Sequence, residues 1–235
     1  MDRLKTHVEG FDEALGGGIP RGSIVLVAGT PGTMKTALTF SILYENVKAG
    51  SKALYISLEE SLDDLRAAMT DLGMTGLDDM ELYVLDIAKI RLEHKDEELS
   101  KNWLDVLRKY IDQRVRMNGF DLVAIDSLAA LYSLSHMDNP RRELFHFFGF
   151  LKSLQATCFL ISEVSSGANG RLSAFDEEFL ADGILVLRHF EKGETDVQLR
   201  LRCVKMRWMK HDHNALALNH DGQRFFVTHV ISKKK

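Results

Sequence analysis

Short apolar runs alternate with longer segments of helical pattern along the first two thirds of the chain. The runs are rich in β-branched residues, which predicts strands. They are apolar at nearly every position, whereas a strand with one face in water alternates apolar and polar residues. We therefore expect a sheet that helices cover on both faces, with strands at 23–28, 53–58, 82–86, 121–126 and 158–162.

Helices are predicted in the segments between these strands. The first is expected to end at Gly50, since glycine commonly terminates helices. Ser61, with an acidic residue three positions later, has the form of a helix start. Four phenylalanines at helical spacing in the last helix favour packing in the core or between subunits over a ligand surface. The predicted helices cover 36–48, a segment from Ser61, 102–117 and 141–154, and the phenylalanines are Phe145, Phe147, Phe148 and Phe150.

Beyond Gly183 the pattern changes to strand-like runs joined by tight turns such as Lys192-Gly193 and Asp221-Gly222. These runs, at 184–190, 197–208, 215–219 and 225–230, predict antiparallel pairing. The complete pattern predicts an α/β fold, in which a largely parallel central sheet flanked by helices continues into a C-terminal antiparallel β extension. The chain has only three prolines and no internal repeat, so a single domain over residues 1–235 is expected.

Composition narrows the classes of function. The formal net charge is −4 at pH 7, so no global basic field would hold nucleic acid or an acidic membrane non-specifically. No stretch approaches the ~18 apolar residues of a membrane span, and the amino terminus lacks an apolar signal region, so a cytoplasmic location is expected. Cys158 and Cys203 lie in apolar runs and are expected to be reduced core residues.

The segment VLVAGTPGTMKTAL, between the first strand and the first helix, is close to the Walker A pattern G-x-x-x-x-G-K-[ST]. Met34 stands where that pattern has its second glycine. In such a loop the backbone N–H groups and the helix N-terminus bind phosphates. Lys35 would reach the β- and γ-phosphates, and the Thr36 hydroxyl would hold Mg²⁺. The candidate nucleotide-binding residues are Gly29, Thr30, Pro31, Gly32, Thr33, Met34, Lys35, Thr36 and Ala37.

Asp126 ends the apolar run of FDLVAIDS, which has the form of a Walker B strand. An aspartate in that position can orient Mg²⁺, often through water. The same residues could instead be a buried strand followed by a helix-capping Asp-Ser pair. A position about ninety residues after Lys35, at the end of another parallel strand, favours the metal role.

Glu59 and Glu60 directly follow the predicted strand 53–58. Ligands of open parallel sheets bind at the carboxyl ends of the strands, so both carboxylates should face the same crevice as the loop. One of them could polarise an attacking water. The alternative is an acidic pair that interacts favourably with the dipole of the following helix.

Taken together, these motifs resemble the KaiC-like branch of the RecA superfamily of ATPases. The resemblance extends over nearly the whole chain, through VEGFDEALGGGIPRGS, GTPGTMKT, SLEES, VAIDS, RRELFHFFGFLKSLQATCFLISE, EEFLADGILVL and CVKMRWMKHDH. It implies a RecA-like P-loop NTPase that binds ATP with Mg²⁺. It also implies that Glu59 is the general base and that Lys205 and Arg207 contact the γ-phosphate of a neighbouring subunit. A ring, usually a hexamer, with ATP between subunits would follow.

This chain departs from the family pattern at two glycines. Met34 replaces one in the loop, and Trp208 stands where the family has glycine after the arginine. At Met34 we expect right-handed backbone angles, which any L-residue can adopt, and a flexible side chain turned away from the nucleotide. The phosphorylated Ser-Thr pair of the clock protein falls on Glu178 and Phe179, so clock function is not implied.

Three functions remain open at the level of sequence. The first is a Mg²⁺-dependent ATPase ring that changes shape with nucleotide state and acts on a protein partner. The second is a DNA-binding recombinase-like or mediator protein, whose DNA loops would be SLSHMDNPRR and SSGANGRLSAFDEE. Arg141 and Arg142 are more plausible phosphate contacts than Arg171, which has three acidic residues nearby. The third is a regulator that binds ATP and scarcely hydrolyses it.

His211 and His213 could be interpreted as a metal-binding pair. Neither a cysteine nor a third histidine lies at ligand spacing, so a polar loop near a subunit interface is the favoured interpretation.

Overall fold

The computed structural model describes residues 2–87, 89, 103–135, 137–164, 172–192 and 195–230. Its strands are β1 (Arg3–Leu4), β2 (Ile19–Pro20), β3 (Ile24–Gly29), β4 (Ala53–Ser57), β5 (Leu82–Asp86), β6 (Leu122–Asp126), β7 (Thr157–Glu163), β8 (Gly183–Lys192), β9 (Asp196–Met206), β10 (Leu216–His220) and β11 (Phe225–His229). Its helices are α1 (Phe11–Ala14), α2 (Lys35–Lys48), α3 (Leu62–Asp71), α4 (Trp103–Asn118), α5 (Leu128–Leu134), α6 (Pro140–Ser153) and α7 (Glu177–Leu180).

Nine strands form one sheet in the order β11-β10-β9-β8-β3-β7-β6-β4-β5. The six strands from β3 to β8 are mutually parallel, and β8 to β11 pair antiparallel. The phosphate-loop strand β3 therefore lies between β7 and β8. This architecture confirms the predicted α/β fold with a largely parallel sheet and a C-terminal antiparallel extension.

Apolar residues cover both faces of the sheet, as the uniform runs predict. Along β3, Val25 and Val27 enter a buried cluster that includes the inner faces of α2 and α3. Ile24 and Leu26, which point the other way, enter a second cluster with residues of α4 and α6. Each parallel strand is thus buried on two sides, which explains why its sequence does not alternate.

The predicted strands and longer helices lie within one or two residues of their observed positions. Ser61 caps α3 as expected, because its hydroxyl accepts a hydrogen bond from the backbone N–H of Asp64. In α6, three of the four phenylalanines are buried, whereas Phe145 is 63% exposed. The predicted turn at Lys192-Gly193 and the start of the helix at residue 102 lie partly outside the described residues.

The sequence analysis missed the β1–β2 pair and the short helices α1, α5 and α7. Each of these elements is too short to show a hydrophobic period in the sequence. Contacts with the rest of the fold determine their structure. Residues 2–20 pack against the antiparallel extension, where Glu9 bridges to Phe226 and Phe11 is buried in the first cluster. They cover one face of that extension.

Among the helices of the described residues, none combines the length and the apolar character that crossing a bilayer demands. Cys158 and Cys203 are free and buried, as expected for core residues.

Candidate nucleotide site

A crevice opens where the carboxyl ends of the parallel strands meet. Its volume is about 400 Å³, and its lining comes from the loop after β3, the loop after β4 and the last residues of β6 and β7. Among the lining residues are Pro31, Gly32, Thr33, Met34, Lys35, Thr36, Ala37, Ser57, Glu59, Glu60, Asp126 and Glu163. The fold therefore brings together both predicted glutamates, the predicted aspartate and most of the predicted loop.

The loop between β3 and α2 is tightly constrained at its first residue. A Cβ on Gly29 would lie 2.6 Å from Thr33 Oγ1 and 2.7 Å from the carbonyl oxygen of Leu187. Only glycine fits there, since real Cβ atoms essentially never approach so closely. Thr33 is fully buried and donates a hydrogen bond of 2.7 Å to the carbonyl of Thr30, which closes the loop on itself.

Lys35 begins α2 and is buried at 7% exposure. Its Nζ donates a hydrogen bond of 3.1 Å to the Thr30 carbonyl. Burial lowers the pKa of Lys35, and the nearby carboxylates of Glu163, Asp126 and Glu59 counteract part of that effect. An ammonium group that has lost much of its hydration is available to an anionic phosphate in the crevice.

Met34 adopts a left-handed conformation, with φ of 60° and ψ of 28°. The sequence-based expectation of right-handed angles at this position was therefore wrong. The residue is the N-cap of α2 and makes no side-chain capping hydrogen bond, whereas N-cap residues typically have extended backbone angles. For a non-glycine residue left-handed angles cost about 1–2 kcal/mol. The Met34 side chain packs against the first hydrophobic cluster.

Asp126, the last residue of β6, links α2 and β4 through one of its carboxylate oxygens. Its Oδ2 accepts hydrogen bonds from the Thr36 hydroxyl at 2.7 Å and from the buried Tyr55 hydroxyl at 2.6 Å. Burial raises the pKa of Asp126, while the hydrogen bonds from Tyr55 and Thr36 oppose the increase. The two predicted metal-binding residues are thus in direct contact, and Tyr55, which the sequence analysis missed, orients the carboxylate.

Glu59 and Glu60 differ in their surroundings. Glu59 Oε1 accepts a hydrogen bond of 2.8 Å from the hydroxyl of Ser127, the residue after Asp126. Ser127 is also the N-cap of α5, so the capping interpretation of the Asp-Ser pair holds alongside the site interpretation. The pKa of Glu60 is raised, first by partial removal from water and then by Asp126, Glu59 and Asp64.

Glu163 is a further crevice residue that the sequence analysis did not identify. It is the last residue of β7 and pairs in register with Gly29, the first residue of the loop. The rule that found Glu59, an acidic residue at the end of an apolar strand, would also have found Glu163.

Lys205 and Arg207 lie at the opposite end of the sheet from their own crevice. The Arg207 N–H donates to the Asp182 carbonyl, and the Asp182 N–H donates to the carbonyl of Ile24, at the start of β3. The phosphate loop follows the other end of that strand, roughly 17 Å away at about 3.3 Å per residue. Neither side chain can reach the nucleotide site of its own subunit.

Asp182 is a buried carboxylate that holds this second cluster of charges together. Its Oδ1 accepts from Arg207 at 3.3 Å, and its Oδ2 accepts from Lys152 at 2.6 Å and from the Ile24 N–H at 3.0 Å. Lys205 Nζ donates to the carbonyls of Glu178 and Ala181.

Trp208 follows Arg207 with a φ of 66°, so it is a second large residue in the left-handed conformation. Its ring lies 4.8 Å from Lys152 Nζ. The rings of His211 and His213 meet edge to face with their centres 4.4 Å apart. No group of three potential metal ligands occurs in the described part of the chain.

Strand, glycine-rich loop, buried lysine, threonine and strand-end aspartate define a P-loop nucleoside triphosphatase with a RecA-like sheet. Residues 4–221 match the protein-family model described as "ATPase: KaiC". The chain belongs to the KaiC family of ATPases, and this membership confirms the resemblance found in its motifs.

Several relatives show how the chain compares within the family. It is 31% identical to the circadian clock oscillator protein KaiC 1 of Synechocystis sp., an alignment that covers 96% of this chain but 44% of that protein. The chain thus spans less than half of the length of this clock relative. It is also 31% identical to a UPF0273 protein of Aeropyrum pernix, over 90% of this chain and 87% of that one.

A solved structure matches over nearly its whole length. The crystal structure of a KaiC-like protein from the hyperthermophilic archaeon Pyrococcus horikoshii superimposes with a TM-score of 0.81 at 25% sequence identity. The match covers 97% of this chain and 99% of that chain.

The left-handed angles of Met34 predict an order of stability among its variants. Met34→Gly removes strain of about 1–2 kcal/mol but gains chain entropy of about 0.5–1 kcal/mol in the unfolded state and loses side-chain packing. Met34→Ala loses the packing and keeps the strain, and Met34→Val adds β-branching. We expect stability in the order Gly, Ala, Val, from urea denaturation, with Gly about 1 kcal/mol above Ala.

The control for this series is Ala67→Gly, on an exposed position of α3, which should lower stability by about 0.5–1 kcal/mol. If Met34→Gly lowered the free energy of unfolding as much as Ala67→Gly does, the conclusion that Met34 is strained would be wrong. Met34→Gly should also retain Mg-ATP binding and hydrolyse ATP at least as fast as the wild type, whereas Met34→Val should bind ATP more weakly.

The raised pKa of Asp126 predicts an effect of pH on stability. Because the folded-state pKa lies above the unfolded one, the protein loses stability as the pH rises through the folded pKa, and the loss persists above it. Asp126→Asn keeps an oxygen that can accept from Tyr55 and Thr36 but avoids the buried charge. Its Tm should therefore exceed that of the wild type by a few degrees at neutral pH, and the gain should shrink toward pH ~4.

Asp221 supplies a control of opposite sign. Hydrogen bonds from the backbone N–H groups of Arg224 and Gln223 lower its pKa. Asp221→Asn should give no stabilisation at neutral pH. Scanning calorimetry from about pH 4 to pH 8 compares the three proteins, and equal responses of the two variants would contradict the role of burial at Asp126.

Proposed function

We propose that this protein is a Mg²⁺-dependent ATPase that hydrolyses ATP to ADP and phosphate, with the described chain acting as one ATPase domain. The observation that carries the proposal is that one crevice contains a buried lysine, a hydroxyl hydrogen-bonded to a carboxylate, and a glutamate oriented by a hydrogen bond. Lys35, Thr36, Asp126 and Glu59 supply these groups. Membership of the KaiC family supports nucleotide binding.

The residues present suit a magnesium ion. Mg²⁺ prefers oxygen ligands and is usually held by one or two carboxylates together with substrate phosphates and water. Thr36 Oγ1 and Asp126 Oδ2 are such oxygens, and they lie 2.7 Å apart. When bound, the ion would neutralise charge on the β- and γ-phosphates. Tyr55 would hold the Asp126 carboxylate in position, and Lys35 would contact the phosphates directly.

Glu59 is the proposed general base. The Ser127 hydroxyl donates to one of its oxygens, so the other oxygen can accept a proton from an attacking water. Glu59 is preferred to Glu60 as the base because the hydrogen bond from Ser127 holds its carboxylate in place. The raised pKa of Glu60, which comes first from partial removal from water, does not argue against it as a base. Its proposed role is to shape the crevice around the water.

The active unit is proposed to be a ring, as a hexamer, in which each crevice is completed by the next subunit. Lys205 and Arg207 would stabilise the γ-phosphate of the neighbour in the manner of an arginine finger. Their position roughly 17 Å from their own loop supports action in trans. Exposed apolar side chains near Arg207, namely Phe179 and Trp208, would be covered in such an assembly. A protein partner that senses the nucleotide state of the ring is part of the proposal.

Glutamine substitution separates binding from hydrolysis. Glu59→Gln should lower the rate of phosphate release by on the order of 10² or more, because the amide cannot accept the proton. Glu60→Gln should have a much smaller effect. Calorimetric titration with Mg-ATP should show unchanged affinity for both variants, whereas Lys35→Ala should reduce affinity by well over tenfold.

Three results of that experiment would count against the proposal. If Lys35→Ala bound ATP as tightly as the wild type, the loop would not be the phosphate-binding site. If both glutamine variants hydrolysed ATP at the wild-type rate, neither Glu59 nor Glu60 would be the residue that activates the water. Tight ATP binding by the wild type without measurable turnover would favour the regulator that scarcely hydrolyses ATP.

Mixing experiments test the shared sites. Lys35→Ala and Arg207→Ala subunits should each be inactive alone, since one lacks the loop cation and the other the trans-acting arginine. In a random ring of equal parts, about a quarter of the interfaces carry both wild-type halves, so about a quarter of the wild-type rate should return.

Exchange of subunits must be shown in the same samples, for example by energy transfer between labelled chains. Arg116→Gln, a surface arginine paired with Asp112, is the matched control and should keep full activity on its own. Exchange without any recovery of hydrolysis would exclude sharing of the site.

A further inference from the structure

Three arginines lie on one face of the β8–β9 hairpin. Arg188 and Arg200 are direct cross-strand partners, and Arg202 follows Arg200 two residues later, so all three side chains project to the same side. With Phe190 they line a cavity of about 620 Å³. We call Arg188, Arg200, Arg202 and Phe190 the arginine face.

This arrangement is unfavourable without a ligand. Like charges directly opposite each other on paired strands destabilise a sheet. Among the ion pairs of the described residues, none involves these arginines. Arg200 donates to the amide oxygen of Gln198, and Arg202 donates to the carbonyl of His213, so both contacts are to neutral groups. The positive charge therefore has no described internal counterion.

The arginine face is also the open side of the hairpin. The alternate residues of the two strands, such as Leu187 and Leu201, are fully buried in the first hydrophobic cluster. Arg188 and Arg202 are exposed, and Phe190 is 46% exposed. A ligand could therefore reach the three guanidinium groups and the aromatic ring from solvent.

The chemistry of these side chains fits phosphates and bases together. Guanidinium groups match phosphate oxygens bidentately. Arg200 and Arg202 are about 7 Å apart along the strand, a spacing close to that of successive phosphates in an extended nucleic-acid strand. The Arg200 guanidinium lies 3.6 Å from the centre of the Phe190 ring, and this stack offers a flat surface to a base. We infer that the arginine face binds single-stranded nucleic acid.

This site differs from the DNA loops that the sequence suggested. Arg141, one of the predicted phosphate contacts, lies 3.6 Å from the carboxylate of Asp176. Arg171 and the first half of its loop lie outside the described residues. The arginine face is built instead on two paired strands, and it offers three clustered cations where the predicted loops offer one or two.

The arginine face is a neighbour of the nucleotide crevice but not part of it. None of its four residues lines the crevice. His189, which also borders the arginine cavity, comes within 4.0 Å of the position that a Cβ on Gly32 would occupy. The inference does not depend on ATP hydrolysis, so its test is performed without Mg-ATP.

The test measures fluorescence anisotropy of a labelled oligothymidine about 20 nucleotides long, titrated with the full chain. Wild-type protein should bind it with a slope of log affinity against log salt near −2, since three phosphate contacts on a single strand contribute about −0.7 each. Replacing all three arginines by glutamine should lower affinity at least tenfold and bring the slope toward zero. Phe190→Leu should lower affinity severalfold and leave the slope unchanged, because the phosphate contacts remain.

Matched controls make the result specific. Arg116→Gln and Arg142→Gln each remove one exposed arginine elsewhere and should bind as the wild type does. The triple variant should keep a wild-type circular dichroism spectrum and a Tm that does not fall, since it removes a cross-strand repulsion. Arg188→Gln alone, a single exposed change, should already lower affinity and flatten the slope by one contact.

Five outcomes would overturn the inference. The first three are no binding of the oligonucleotide to folded wild-type protein, undiminished binding by the triple glutamine variant, and equal loss of binding in Arg116→Gln. The fourth is displacement of the oligonucleotide by polyglutamate, at the same concentration of negative charge, as effectively as by unlabelled oligothymidine. Displacement by Mg-ADP that disappears in Lys35→Ala would likewise assign the arginines to the ATP site.

Discussion

Parallel pairing of β3 with β7 on one side and β8 on the other determines where the chemistry of this protein can occur. The pairing places the end of β3 beside Glu163 at the end of β7 and beside Leu187 in the middle of β8, so the phosphate loop begins between these two strands. Burial on both faces makes a shift by one residue costly, because the shift would exchange the side chains that pack in the two hydrophobic clusters. The packing of the sheet therefore determines where the crevice lies, and the phosphate loop forms part of its wall.

Much of this arrangement could be predicted from residue patterns. Uniform apolar runs identified the buried parallel strands, and an acidic residue after such a run identified Glu59 and Asp126. The same reasoning did not reach Tyr55 or Asp182, because each lies inside or beside an apolar run and its partner is distant in sequence. Tyr55 contacts Asp126 across 71 positions, and Asp182 contacts Ile24 across 158. Only the tertiary structure brings such pairs together.

The angles at Met34 were predicted wrongly for a different reason. A residue type indicates what a backbone conformation costs, but the surrounding fold decides which conformation occurs. Here residue 34 is left-handed although it is a methionine, and this conformation raises the free energy of the folded state by about 1–2 kcal/mol. Trp208 shows the same behaviour after β9. Both residues stand where the motif resemblance places a glycine, and both have a positive φ, for which glycine is best suited.

One strand connects the nucleotide crevice with the charge cluster around Asp182. β3 carries the phosphate loop after Gly29, and at its start Ile24 is hydrogen-bonded to Asp182, the carboxylate that also holds Arg207. A strand that is hydrogen-bonded on both sides is stiff along its length. In a closed ring each β3 would link two nucleotide sites. One is the site of its own subunit, and the other is the neighbour's site, to which Arg207 contributes. A displacement of one phosphate loop could then pass mechanically to the next site over six residues of backbone.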